Sequence, residues 1–263
     1  MPLVVTDAIV LHAFDYLETS RILRLATREA GVVSVLAKGA RRNRAKYGSA
    51  VDLFAEGEVQ IYLKPGRDLH TIASFDVVTA RLAIAGDYDR FAAAAAVAEL
   101  VLRTGRDDAN PALYQTVANT FQLIATVPPA TLASAAIGGL WRIIAAQGFT
   151  PALDECASCH AQIPGDARAA FATKVGGVLC DRCARLAPNR RLLPPDARDA
   201  MRAWLDLSLD QSPTHIGDEN GVRAHQRLLR EFIQEHLTDD RGDRPLRAFV
   251  SWETPTPSTP WRE

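Results

Sequence analysis

The chain has 263 residues, which exceeds one average domain and predicts about two compact units. Hydrophobic residues make up 48% of the chain and charged residues 23%, proportions that exclude an intrinsically disordered protein. The formal net charge is -1, from 30 Lys and Arg against 31 Asp and Glu, so any contact with nucleic acid must depend on local clusters of charge.

The first 80 residues are predicted to form a small five-stranded antiparallel barrel. Short runs rich in Val, Ile and Leu are separated by turn residues and do not follow a helical period. In the fourth run, the odd positions from 55 to 63 are small or apolar and the even positions are Glu, Gln or Tyr, as a strand with one buried face requires. The five runs are residues 4–14, 21–28, 32–38, 53–63 and 69–79.

Helices are predicted from about residue 87, where apolar residues begin to recur every three or four positions. Gly105 is placed to end the first helix, and Asn110 and Pro111 are typical N-cap and first-turn residues of the second. A third helix is predicted over residues 132–147, with Gly148 after its last turn. The chain therefore changes from strands to helices at about residue 80.

The domain organisation follows from these changes of pattern. Helical pattern resumes at residues 196–209 and 222–237, so the cysteine-bearing segment before them is predicted to be inserted into a helical domain. Residues 254–260 alternate Pro with Thr and Ser and have little to bury, which predicts a disordered tail. The predicted fold is α+β and multidomain, with the barrel at 1–80, the helical domain at 81–150 and 193–252, the cysteine module at 151–192 and the tail at 253–263.

All four cysteines fall in two C-x2-C pairs, Cys156 with Cys159 and Cys180 with Cys183, separated by 20 residues. One tight turn can present both sulfurs of a pair to a metal, and four thiolates fill the tetrahedron that Zn2+ prefers. The spacing therefore predicts a structural zinc site in a zinc-ribbon hairpin, for which His160 is a surplus donor. Two disulfides or a redox pair are the alternative, which a cytosolic chain disfavours.

A second cluster is cationic and falls near the end of the third predicted strand. It has five Lys and Arg within nine residues and no acidic residue, and an aromatic ring on which a base can stack follows it. Cationic loops on a five-stranded barrel are a known means of binding single-stranded DNA, although a solvated loop is the plainer interpretation. The candidate DNA-binding residues are Lys38, Arg41, Arg42, Arg44, Lys46 and Tyr47, with Arg24, Arg28, Lys64 and Arg67 as extensions.

The cysteine module carries further cations, which are interpreted either as a second phosphate-contacting surface or as a solvated face. These residues are Lys174, Arg182, Arg185, Arg190 and Arg191.

Sequence motifs of enzymes and of membrane proteins are missing from the chain. It has no G-x-x-x-x-G-K-[ST] loop, no G-x-S-x-G, no H-E-x-x-H and no deaminase pair of H-x-E with P-C-x-x-C. No charged leader precedes an apolar stretch, and no apolar window approaches the roughly 20 residues that cross a bilayer. We therefore expect a cytoplasmic protein that is not an enzyme and has no membrane partner.

Several segments resemble the RecO family of recombination mediators. Residues 8–11, 15–20, 25–31 and 37–42, with the sequences AIVL, DYLETS, LATREAG and AKGARR, are similar to the N-terminal signature of that family. Residues 148–159, GFTPALDECASC, are similar to its junction between helix and zinc module. The resemblance covers most of the chain and implies an N-terminal OB-fold, a helical domain and a zinc module.

The same resemblance implies a function and a set of partners. It implies binding of single- and double-stranded DNA, annealing of complementary strands, and assembly with RecR so that recombinase loads on DNA coated by single-stranded DNA-binding protein (SSB). RecF is a further implied partner, and the nucleoid is the implied place of action. Two other functions stay open: a zinc-ribbon adaptor in transcription or complex assembly without direct DNA binding, and a metal-dependent nuclease.

Overall fold

The computed structural model describes residues 2–40, 52–206, 218–237 and 246–253. The chain forms two compact units, residues 1–132 and residues 133–263. The division between them falls within the stretch 81–150, for which the sequence predicts one helical segment. The candidate residues Arg41, Arg42, Arg44, Lys46 and Tyr47, and the predicted tail at 254–260, lie outside the described residues.

The first unit begins with a closed five-stranded barrel in the order β1-β2-β3-β5-β4. Its strands are β1 (Leu3–Tyr16), β2 (Ser20–Thr27), β3 (Gly31–Ala37), β4 (Glu56–Tyr62) and β5 (Leu69–Thr79). Among these described strands four pairings are antiparallel, and the fifth, between β3 and β5, is parallel and closes the barrel. The predicted OB-like barrel is therefore confirmed, with one pairing in the direction opposite to that expected.

The alternation predicted for the fourth strand is present in β4. Val59 and Ile61 are fully buried in the barrel core, and Glu58 and Tyr62 are exposed on its outer surface. Gly57 faces β5 so closely that a Cβ there would lie 2.1 Å from the backbone oxygen of Asp76. The strand begins at Glu56 and not at residue 53, because Phe54 has a φ of 66° and lies outside the extended region.

Three helices follow the barrel in the first unit: α1 (Leu82–Ala85), α2 (Tyr88–Thr104) and α3 (Pro111–Thr126). The side chain of Asn110 accepts a hydrogen bond from the Leu113 N–H at 2.9 Å, so the predicted N-cap of α3 is confirmed. Val117, Phe121 and Ile124 form the buried face of this helix, and all three are fully buried. Gly105 ends α2, as predicted.

A buried polar network joins the barrel to these helices. Arg81, whose side chain is only 3% exposed, donates hydrogen bonds to the Phe54 carbonyl at 2.9 Å and to the carboxylate of Glu56. Tyr114 of α3 donates its hydroxyl proton to the other oxygen of Glu56 at 2.9 Å. Burial, and then the adjacent Glu56 carboxylate, raise the pKa of Tyr114 well above its ordinary value. The hydroxyl therefore remains a donor across the physiological pH range.

In its described residues, the second unit combines five helices with a three-stranded sheet in the order β7-β6-β8. The described elements are α4 (Pro129–Ala146), β6 (Ala169–Ala172), β7 (Gly177–Leu179), α5 (Asp181–Ala184), β8 (Arg191–Leu193), α6 (Pro195–Leu205), α7 (Glu219–His236) and α8 (Arg247–Trp252). The predicted helices at 132–147, 196–209 and 222–237 correspond to α4, α6 and α7. A short helical turn at Thr173–Val175 and Gly176, whose φ is 78°, connect β6 to β7 as the predicted hairpin.

Helix α4 comes closer to the length of a membrane span than the sequence analysis expected. Among the described helices it alone is long and apolar enough to cross a membrane, with a mean hydropathy of 1.3 over 18 residues. However, 61% of that window is buried. Trp141 lies 5.0 Å from the ring of Phe232, and a Cβ on Gly138 would lie 2.6 Å from Trp204. These contacts are those of a core helix.

His225 on α7 is a buried histidine that we expect to limit stability at acidic pH. It is 3% exposed, lies 4.9 Å from the ring of Trp204, and its Nδ1 has no hydrogen-bond partner among the described residues. Burial lowers the pKa of His225 to about 4, from about 6.5 in the unfolded chain. Its contribution to folding is therefore present above about pH 6.5 and is lost progressively as the pH falls towards 4.

The expected loss is roughly 3 kcal/mol of unfolding free energy between pH 6.5 and pH 4. Urea unfolding at several pH values measures it in the native protein and in His225→Leu, in which this part of the pH dependence should disappear. An exposed histidine provides the control, because His160→Asn should retain the native pH dependence. Identical pH profiles for the native protein and His225→Leu would contradict the assignment.

Candidate metal centre and nucleic-acid interface

The four cysteines come together in the second unit as the sequence predicts. Their sulfur atoms all lie within 4.8 Å of one another, and the Sγ atoms of Cys159 and Cys180 are 3.7 Å apart. A tetrahedral Zn–S4 site with bonds of about 2.3 Å has sulfur atoms about 3.8 Å apart. The cluster therefore has the composition and the dimensions of a closed tetrahedral metal site.

Two different local structures present the sulfur atoms: a hydrogen-bonded turn for the first cysteine pair and the start of α5 for the second. In the first pair, the Cys156 N–H donates to the Ala161 carbonyl at 2.8 Å, and the His160 N–H donates back to the Cys156 carbonyl at 2.9 Å. In the second pair, Cys180 is the N-cap residue of α5 and Cys183 lies in that helix. A hydrogen bond of 2.8 Å from the Ala157 N–H to the Val178 carbonyl joins the first turn to β7.

The thiols of the cluster shift one another's pKa values. Burial opposes ionisation of Cys156, but hydrogen bonds from the backbone of Cys180, Ser158 and Cys159 bring the pKa of its thiol down to about 6. The side chains of Cys159 and then Cys180 raise the pKa of Cys183 to about 11. Four adjacent sulfurs therefore cannot all be thiolates without a compensating positive charge, which a divalent metal supplies.

The alternative chemistries fit this geometry less well. The ring of His160 lies 3.2 Å from the Glu155 carboxylate, and its side chain is 74% exposed, so it is not part of the sulfur cluster. A separation of 3.7 Å between Cys159 and Cys180 is much longer than a disulfide bond of about 2.05 Å. None of the four cysteines forms a disulfide bond in the structure.

A fully buried arginine, which the sequence analysis did not detect, holds the cysteine module on α6. Arg198 donates to the carbonyls of Pro164 at 3.0 Å and Ala167 at 2.9 Å, and its side chain has no solvent contact. Burial, and then the adjacent Arg202, hold the pKa of Arg198 below its ordinary value. In the sequence, an arginine on an amphipathic helix is indistinguishable from a solvated one, so no signal was available.

The structure separates the candidate DNA-binding residues of the barrel. Lys38 follows the last residue of β3 and is exposed. Lys64 and Arg67 lie in the turn before β5, and the parallel register that pairs Ser34 with Leu69 directs this turn towards the start of β3. The turn that carries these two cations is therefore separated from Lys38 by about 13 Å or more along the strand direction.

Arg24 and Arg28 both contact residues of the first unit itself. Arg24 is half-buried and donates to the Leu102 carbonyl at 3.5 Å. Arg28 forms an ion pair of 2.9 Å with Asp7, and its guanidinium lies 4.7 Å from the ring centroid of Tyr114. The cations of the cysteine module, Lys174, Arg182, Arg185, Arg190 and Arg191, are all exposed.

Comparisons with known proteins connect both units to one family. The family described as "Recombination protein O N terminal" matches residues 1–81, and "Recombination protein O C terminal" matches residues 85–245. A DNA repair protein RecO from Anaeromyxobacter sp. (strain K) is 31% identical over 232 residues, which cover 87% of this chain and 89% of the relative. The DNA repair protein RecO of Anaeromyxobacter dehalogenans (strain 2CP-C) is 34% identical over the same length and the same shares.

Proposed function

The chain belongs to the RecO family of DNA repair proteins, and we propose that this recombination mediator binds single- and double-stranded DNA and anneals complementary strands. The observation that carries the proposal is the position of Lys38. This exposed cation stands at the end of β3, and the sequence continues from it into four further cations without an acidic residue. In a family of DNA repair proteins, a cationic run on an OB-like barrel is suited to the DNA backbone.

The proposed interface is narrower than the set of candidates in the sequence. It comprises Lys38 with Arg41, Arg42, Arg44, Lys46 and Tyr47, which follow it in the chain. Arg24 and Arg28 are left out, because Leu102 and Asp7 already engage their guanidinium groups. Lys64 and Arg67 lie near the other end of β3. They would contact a different part of a bound DNA strand.

The metal in the proposed function is one Zn2+ held by Cys156, Cys159, Cys180 and Cys183. Zinc suits four sulfur ligands in a tetrahedron, and a site with four protein ligands leaves no position at which water or substrate can react. The ion would cross-link the two turns of the module and would take no part in chemistry. The protein then acts stoichiometrically, without breaking a covalent bond.

The protein partners that we propose are those of the family: RecR, SSB and RecF, with DNA as the common ligand. Family membership and the resemblance of both units to RecO support them. The protein would act in the cytoplasm at the nucleoid, where annealed or SSB-coated DNA is prepared for recombinase.

A salt titration tests DNA binding, since affinity for a polyanion falls as salt competes for the phosphates. If the five cations each neutralise one phosphate of a single strand, the logarithmic salt slope is about -3.5, and affinity weakens roughly a hundredfold between 50 and 200 mM salt. The variant K38Q/R41Q/R42Q/R44Q/K46Q should lose most of this slope and a similar factor in affinity at low salt. Strand annealing, measured with labelled complementary oligonucleotides, should fall with it.

The matched control removes exposed cations from the cysteine module. The variant K174Q/R182Q/R185Q should keep the affinity and the slope of the native protein. If the five-cation variant binds DNA as the native protein does, the adaptor function is favoured and the proposal fails. Labelled DNA incubated with the protein and magnesium should remain intact, and cleavage products would favour a nuclease instead.

A further inference from the structure

The outer surface of β1 carries exposed aromatic rings at its carboxyl end. After a register shift between Val10 and His12, the side chains of His12, Phe14 and Tyr16 alternate onto the outer face of the barrel. Phe14 is 42% exposed and Tyr16 is 40% exposed. Rings at every second position of one strand lie on the same face of the sheet, and exposed apolar patches on a protein surface often mark a site that contacts a ligand or partner.

Apolar residues of the two neighbouring strands lie beside the rings. Phe14 lies opposite Ile22 of β2, which in turn lies opposite Leu36 of β3, and Ile22 is almost fully buried. The ring centroids of His12 and Phe14 are 5.7 Å apart, with their planes tilted by 51°. Bases within a duplex are spaced by about 3.4 Å, so a stacked pair cannot place one base on each ring. Unpaired bases that are separated from their neighbours can each stack on one of the rings.

An exposed cation, Lys38, lies within reach of this surface, and the carboxylate of Asp15 on the same strand as the rings forms an ion pair. Ala37 lies opposite Arg21, so Lys38 is level with Ser20 and with Tyr16, two strands away and about 10 Å distant. Asp15 forms an ion pair of 2.9 Å with Arg21. One further acidic residue, Glu18, is in the β1–β2 turn. A phosphate on Lys38 would therefore leave its base free to reach the rings.

We propose that His12, Phe14 and Tyr16 form a stacking platform for the unpaired bases of single-stranded DNA. The inference rests on the proposed function. It adds a reason for the barrel to prefer single-stranded DNA over duplex DNA. Phosphate contacts are available to single strands and duplexes alike, but stacking on these rings is open only to unpaired bases. The platform therefore makes the barrel bind single strands more tightly than duplexes.

The test compares the full-length native protein with F14A/Y16A, using an oligothymidine and a duplex of the same length in fluorescence anisotropy titrations. Affinity of the variant for oligothymidine should fall by at least about 30-fold, because two stacking contacts are lost. Duplex affinity should change by less than about threefold. The salt slope should stay native, since no phosphate contact has been removed.

The matched control is Tyr62→Ala, which removes a ring of similar exposure, 41%, from β4. It should bind oligothymidine as the native protein does. A second variant, F14L/Y16L, keeps apolar side chains on the strand and guards against loss of folding, which thermal unfolding checks. It should lose single-strand affinity as F14A/Y16A does, because stacking needs a flat ring.

Two results would overturn the platform: native affinity of F14A/Y16A and F14L/Y16L for oligothymidine, or equal losses for oligothymidine and duplex. If this face contacts a protein partner and not DNA, both variants would keep the native affinity for oligothymidine. If the native protein binds neither DNA, the proposed function fails as well. Native binding with unaffected variants removes only the platform.

Discussion

Replacing Cys156 with Ser is expected to abolish metal binding and to unfold the cysteine module of the second unit. Cys156 is fully buried at the centre of the sulfur cluster, and a serine hydroxyl is a poor ligand for a soft site. Structural zinc in small modules contributes an apparent ~10–16 kcal/mol of folding free energy at neutral pH. We therefore expect complete loss of the metal and not merely weaker binding.

The core immediately around the sulfur atoms is small. Its buried cluster consists of Cys156, Ala172, Leu179 and Ala184, with the other three cysteines packed against it. Of these four residues only Leu179 has a large apolar side chain, so the two cysteine turns bury little apolar surface of their own. The proposed zinc ion would cross-link these turns and stabilise them.

Zinc content per chain, measured by elemental analysis, should fall from about one to none in Cys156→Ser. Hydrogen exchange should become fast over residues 152–193. The control His160→Asn changes the neighbouring donor and keeps the left-handed conformation of that position accessible, since its φ is 60°. The His160→Asn protein should retain its zinc content and the slow hydrogen exchange of residues 152–193. If His160→Asn loses the metal, or Cys156→Ser keeps it, four-sulfur ligation is wrong.

DNA affinity should change by less than tenfold in Cys156→Ser, because the proposed interface belongs to a barrel with its own core. This outcome would separate a structural metal from one that contacts DNA.

The barrel was predictable because its strands have one buried and one solvated face. In β4 the alternation of Val59 and Ile61 with Glu58 and Tyr62 sets both the element and its register. The cysteine cluster was predictable for a different reason: the chemistry of four soft ligands requires two pairs at short spacing, whatever surrounds them. In both cases residues close together in the sequence determine the feature, so the sequence alone predicts it.

Other features depend on contacts between residues distant in sequence, which leave no local signal. Arg81 and Arg198 are buried, yet nothing in their neighbouring residues distinguishes them from solvated arginines. The strand β8 has only three residues and no alternation to detect. Arg24 and Arg28 were assigned to a DNA surface by strand period, but period cannot show that Leu102 and Asp7 engage them.

Replacing Glu56 with Gln is expected to destabilise the first unit by about 3–5 kcal/mol, because it leaves the buried Arg81 without a countercharge. An amide can still accept one hydrogen bond, but it cannot balance a guanidinium whose side chain is 3% exposed. The hydroxyl of Tyr114 would also lose its charged acceptor at 2.9 Å. Urea unfolding, followed by hydrogen exchange in residues 2–40 and 52–132, measures the loss.

A neighbouring residue on the same strand provides the control, since Glu58 is exposed and Glu58→Gln should change the unfolding free energy by less than about 0.5 kcal/mol. The double variant E56Q/R81M removes both members of the buried pair. It should be less destabilised than the sum of the two single variants, because no uncompensated charge remains in it. Strict additivity, or a Glu56→Gln protein as stable as Glu58→Gln, would show that the barrel does not depend on this pair for its attachment to α1 and α3.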